Sequence, residues 1–139
     1  MGVGTKNYPV YNPEGEIMQG GNIERRKHPR LDKSLPVKVL GDAFDFVTDT
    51  VNISSGGVLC NLDKPIPIMT KLKIALMLPD ISGKGASRID CEGIVIRTEE
   101  HTKEIGNKRY AFAIVFSDIK DEDKAKISRY VASYLMGLH

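Results

Sequence analysis

The chain has 139 residues, 41% of them hydrophobic, with a net charge of +2. That is enough for one domain with a core, and too little basic excess for a polyanion binder as a whole. No run approaches the roughly 20 apolar residues of a spanning helix, and the first thirty residues show no apolar stretch followed by a small-residue cleavage site, so the expected location is the cytoplasm, without membrane insertion.

Residues 1–23 read as a flexible N-terminal arm: Asn12-Pro13-Glu14-Gly15 and Gly20-Gly21-Asn22 recur in a stretch poor in apolar residues, which cannot offset its ordering entropy by burial. Residues 24–139 read as one domain. It opens on a local basic cluster, with five basic residues against two acids between Glu24 and Lys33.

From Leu35 the pattern has period two. Leu35, Val37 and Val39 mark a first strand, and Gly41-Asp42 a turn. Phe44, Phe46, Thr48 and Thr50 mark a second strand. The polar turn Asn52-Ile53-Ser54-Ser55-Gly56-Gly57 follows. Val58, Cys60 and Leu62 form a third strand, and after Pro65 and Pro67 the run Leu72, Ile74, Leu76 and Leu78 forms a fourth. Pro79 to Gly85 is a loop. Ile89, Cys91, Gly93 and Val95 continue into Arg97 as a fifth strand, Glu99 to Lys108 is a charged loop, and Tyr110, Phe112, Ile114 and Phe116 make a sixth. The fold class predicted is all-β dominated: six short strands closed into an antiparallel barrel, which removes exposed edges. Ile127, Tyr130, Val131, Tyr134, Leu135 and Leu138 then fall at helical spacing behind an acidic first turn, Asp121-Glu122-Asp123. They predict a C-terminal helix over about 120–136, packed on the barrel.

The chemistry of an enzyme is missing. His28, His101 and His139 lack metal-ligand spacing with cysteines or carboxylates, and Gly83-Lys84-Gly85-Ala86-Ser87 lacks the spacing of a phosphate loop. No nucleophile elbow or dinucleotide fingerprint is present. Cys60 and Cys91 lie in apolar alternating runs and read as buried thiols. Aromatics are 6% and most sit at alternating positions that read as core, against the exposed stacking platform of a nucleic-acid barrel, so neither DNA nor RNA is an expected partner.

Two segments remain. Arg26-Lys27-His28-Pro29-Arg30 carries two guanidinium groups, which bind phosphate in pairs of hydrogen bonds and stack on flat rings. In Asn52-x-Ser54-x-x-Gly57, short polar side chains sit beside glycines that permit positive φ or a close backbone approach. Each alone reads more simply as a solvated basic run or a plain turn. In this order and strand context, RxxxR and then [D/N]xSxxG resemble the PilZ domain family, over about residues 24–136. The alternative register fails, because Pro29 stands four residues after Arg25. Gly93-x-Val95-x-Arg97 and Phe116-Ser117-Asp118-Ile119 are further likenesses.

The resemblance implies a PilZ-type barrel that binds cyclic di-GMP, with no cofactor, no metal and no catalysis. Arg26 and Arg30 would contact phosphates and guanine faces, and Asn52 and Ser54 the guanine edge or a phosphate. Gly57 would let the turn fit under the ligand, with Arg25, Gly56 and Arg97 as additional contacts. Asn52 stands where many members carry aspartate, and an amide accepts from guanine more weakly than a carboxylate, which lowers the expected affinity. Ligand would order the arginine segment against the turn and present a new surface to a downstream protein; a homodimer is compatible with this. The alternative is a PilZ-like protein adaptor that does not bind nucleotide.

Overall fold

A computed structural model describes residues 28–104 and 107–137. Six strands precede one helix: β1 (Pro36–Leu40), β2 (Asp45–Ser54), β3 (Gly57–Leu62), β4 (Lys71–Pro79), β5 (Ala86–Glu104), β6 (Asn107–Asp118) and α1 (Asp121–Leu135). All neighbouring strands pair antiparallel, in the order β1-β2-β3-β6-β5-β4, and β4 returns to β1 to close the barrel.

Period-two patterning dictates this architecture. Each strand turns alternate side chains inward, and closure turns those sets onto one another. Val37 and Val39 of β1, Leu72, Ile74, Leu76 and Leu78 of β4, and Phe112 and Ile114 of β6 are all buried, as the alternation predicts. Phe46 meets Phe112 edge-on, with centroids 6.0 Å apart, an arrangement the ring quadrupoles favour. Helix α1 adds Ile127, Tyr130 and Val131 to the same core. Its N-cap, Lys120, makes no side-chain cap, and Asp121, Glu122 and Asp123 fill the first turn, where their charge suits the helix dipole.

The structure corrects three expectations. The segment Glu99–Lys108 is not a loop: β5 and β6 continue as a hairpin, pairing Glu99 with Ala111 and Glu100 with Tyr110 and reaching Glu104 and Asn107. The polar sequence of this stretch hides such a ladder from any hydrophobic pattern, because backbone pairing carries it; Lys108 and Glu100 stand 3.8 Å apart on its exposed surface. The residues around Asn52 are not a turn either, since β2 runs on to Ser54 and the turn is Ser55-Gly56 alone. Finally, Leu135 does not join the core; it is 56% exposed at the end of α1. Leu138 lies outside the described residues, as does the stretch expected as an arm.

Both cysteines are free and buried, as expected. Burial pushes each thiol up to about 12, with Asp49 adding to the effect at Cys60 and Asp123 foremost among the acids that add to it at Cys91. Folding therefore favours the protonated thiol. That contribution is full below the ordinary value of 9.0 and is lost as pH climbs towards 12. Stability is expected to fall above about pH 9, by up to about 1.4 kcal/mol per pH unit for each thiol. Urea melts at pH 8 and pH 10 check this. The wild type should lose more stability across that interval than a Cys60→Ala/Cys91→Ala double variant; equal losses would mean that the thiols ionise freely inside the fold.

Candidate functional site

The site begins with an irregularity in β2. Phe46, Thr48 and Thr50 turn towards the barrel interior, so unbroken alternation would send Asn52 inward as well. A β-bulge intervenes: Thr50 pairs with Cys60, yet Asn52 pairs with Leu59, the next residue along β3. The extra residue, Val51, reverses the alternation. Ile53 becomes the inward residue, with no exposed surface, and Asn52 and Ser54 move to the outer face, Asn52 half-buried and Ser54 buried there.

A second bulge does the same on β5. Ile89, Cys91, Gly93 and Val95 face inward, and Val95 pairs with Ile114, but Arg97 pairs with Ala113. Ile96 is the extra residue and is left 51% exposed. Arg97 thereby emerges on the outside. The registers then align one row across four strands: Asn52 beside Leu59, Leu59 beside Ala113, Ala113 beside Arg97. At the usual strand spacing the row spans about 14 Å from Asn52 to Arg97. A parallel row carries Ser54, Gly57, Val115 and Ile94.

The stretch from His28 to Leu35 lies along this face. Leu31 and Ile53 exchange two backbone hydrogen bonds, of 2.8 and 2.9 Å. Further along, the buried Thr50 hydroxyl donates to the Lys33 carbonyl (2.6 Å) and accepts from the Leu35 amide (2.9 Å). Lys33 Nζ also stands 4.6 Å over the Tyr134 ring, which ties the stretch to α1. At the turn, Ser54 Oγ accepts from the Gly56 amide (3.1 Å), and the Gly56 carbonyl accepts from the Phe116 amide (2.9 Å).

Between these elements opens a cavity of about 420 Å³, within the range of small-ligand pockets. Of the residues predicted from sequence, the structure brings Arg30, Asn52, Ser54, Gly56, Gly57 and Arg97 to its lining. Arg25 and Arg26 lie outside the described residues. Val115, Ile96 and Ile119 supply an apolar side. Arg97 Nε holds Glu99 at 3.2 Å, with both side chains more than half exposed; a pair of that kind contributes about 0–1 kcal/mol and exchanges readily for a better anion.

Sequence reasoning did not single out His28, Ser55 or Lys124, which also line the cavity. His28 sits inside the RxxxR stretch and was visible there; Lys124 comes from α1, and no local spacing links it to the turn. The two glycines are also settled. Positive φ among the described glycines occurs at Gly83, Gly85 and Gly137, so Gly56 and Gly57 serve close approach and not a left-handed backbone. A Cβ on Gly56 would meet the His28 ring, and one on Gly57 would meet the backbone of Ile114.

The PilZ domain model matches residues 24–133, about four-fifths of the sequence. The chain belongs to the PilZ domain family. Solved structures agree on the PilZ fold. The Bacillus subtilis inhibitor of motility MotI/DgrA superposes with a TM-score of 0.70 at 23% identity, covering 83% of this chain and 53% of that one. K. pneumonia MrkH superposes at 0.64 and 18%, covering 84% and 52%. The PilZ domain of YcgR from Escherichia coli, solved with c-di-GMP, superposes at 0.59 and 16%, covering 83% and 95%. This PilZ chain thus spans about half the length of MotI/DgrA and MrkH. No curated protein sequence gives a significant match. Among the described residues no helix is long and apolar enough to cross a membrane.

Proposed function

We propose that this PilZ domain is a receptor for cyclic di-GMP, acting in the cytoplasm and passing its signal to a downstream protein. The observation that carries the reading is the convergence of four polar side chains on one cavity: Asn52, Ser54 and Arg97 through two β-bulges, and Arg30 from the segment that Leu31 ties to Ile53. Support comes from relatives of the same fold solved with this ligand: the YcgR PilZ domain, MrkH and Borreliella burgdorferi PlzA.

In this reading Arg26 and Arg30 take the phosphates and stack on guanine, while Asn52 and Ser54 hold a guanine edge or a phosphate. Arg97 closes the far end of the row, with Arg25 as a further contact. Ile96, Val115 and Ile119 give the bases an apolar surface. PilZ domains are ligand-binding domains, and we assign this one no catalysis. Ligand completes the fixing of the arginine segment, whose stretch from His28 onward is already anchored on the β2–β3 turn and β2, and the joined surface of ligand and segment is what a partner protein reads.

Three or four charge-assisted contacts at about 1.5–3 kcal/mol each, less the ordering and association costs, leave roughly −8 kcal/mol, a micromolar affinity. Isothermal titration with cyclic di-GMP is expected to give micromolar or tighter binding. A folded protein that takes up no nucleotide at roughly 100-fold higher concentration would overturn the receptor reading in favour of a nucleotide-free adaptor.

A further inference from the structure

We infer that His28 is a positioning residue of this site: it latches the arginine segment onto the β2–β3 turn by laying its ring on Gly56 and bonding Ser55. His28 Nδ1 lies 2.9 Å from Ser55 Oγ, and Ser55 is itself buried. The second observation is independent of that bond. A Cβ built on Gly56 would stand 2.7 Å from His28 Cδ2, 3.0 Å from Cγ and 3.4 Å from Nε2, so the three nearest atoms all belong to this one ring. Gly56 does not have the positive φ that would otherwise call for glycine. The imidazole is what the missing side chain makes room for.

The position of His28 in the sequence gives the contact its consequence. His28 stands midway between Arg26 and Arg30. Three residues on, Leu31 is fixed to Ile53 by its two backbone hydrogen bonds. Arg30 is therefore held between two anchored points, one on the turn and one on β2. A segment anchored in this way has met part of its ordering cost before ligand arrives, so the anchor raises affinity by raising the fraction of molecules with the arginines in place. The spacing of His28 excludes a metal-ligand role; its partner is a serine 27 residues away.

The affinity half of this inference rests on the cyclic di-GMP reading, and the exchange half does not. The test is a cycle of His28→Ala, Gly56→Ala and the double variant, read by nucleotide titration, by hydrogen exchange at the Leu31 and Ile53 amides without nucleotide, and by thermal melting. Each single variant is expected to weaken cyclic di-GMP binding about tenfold and to speed exchange at both amides, with the melting midpoint of His28→Ala near that of the wild type. The double variant is expected to bind no more weakly than His28→Ala, because the ring that the new methyl group at position 56 would displace is already gone. Additive losses in the double variant, or Leu31 and Ile53 amides in His28→Ala that exchange as in the wild type, would overturn the latch. Should the wild type bind no cyclic di-GMP, the receptor reading fails and the exchange rates still decide the latch.

Discussion

Arg30→Ala is expected to reduce cyclic di-GMP affinity by about 30- to 5,000-fold, from micromolar to between tens of micromolar and millimolar. Removing one partner of a close, desolvated charge pair costs about 2–5 kcal/mol, because the phosphate left behind keeps its desolvation penalty without its hydrogen bonds. Arg30 lines the cavity from a segment tied to β2 by the Leu31–Ile53 bridge. Arg26→Ala is expected to do the same. Arg30→Lys should recover only part of the loss, since lysine restores the charge but not the planar fork that pairs with phosphate and stacks on guanine. Arg88→Ala is the control: Arg88 pairs with Asp90 at 3.0 Å on exposed strand surface, lies away from this cavity, and should bind as the wild type does. Calorimetry with circular dichroism on each variant checks the set. An Arg30→Ala protein that is folded and binds normally would mean that the nucleotide does not use this cavity.

The barrel was legible because closure makes every strand one-sided. Val37, Val39, Leu72, Ile74, Leu76, Leu78, Phe112 and Ile114 alternate in the sequence and are buried in the structure. The bulges were not legible, and the site depends on them. Continuous alternation through Thr50 to Asn52, and through Val95 to Arg97, would have turned both polar side chains into the core; one extra residue in each strand, Val51 and Ile96, turns them out. A bulge has no composition of its own and shows only in the register of the partner strand. The family motifs single out Asn52 and Arg97, and the structure brings both to one cavity; period-two alternation alone would have faced them into the core, a local conflict of the kind expected where a strand serves more than packing. His28 and Lys124 escaped for a different reason. Their roles depend on a turn 27 residues away and on the return of a helix, and neither distance is written in local spacing.

Gly57→Ala is expected to lose about 3 kcal/mol of folding stability, the upper end of what forced overpacking costs. Gly57 opens β3 and pairs with both Ser54 and Val115. A Cβ there would press on the carbonyl oxygen of Ile114, with Ile114 C at 3.1 Å and Val115 Cα at 3.2 Å. All three are backbone atoms of β6. No rotamer change relieves such a contact, so β3 and β6 must separate beside the buried Val58 and Ile114. Gly83 supplies the contrast. Its notional Cβ meets nothing within 4 Å, and its cost comes only from a φ of +81°, so Gly83→Ala should lose about 1 kcal/mol. Urea melts of the two variants separate these cases. The last glycine of the [D/N]xSxxG motif then belongs first to the fold: it lets β3 lie close enough to β6 for the row from Asn52 to Arg97 to exist. Weak binding by Gly57→Ala should accordingly travel with a lowered melting midpoint. A Gly57→Ala protein that melts with the wild type and still loses the nucleotide would reassign this glycine from the barrel to the ligand.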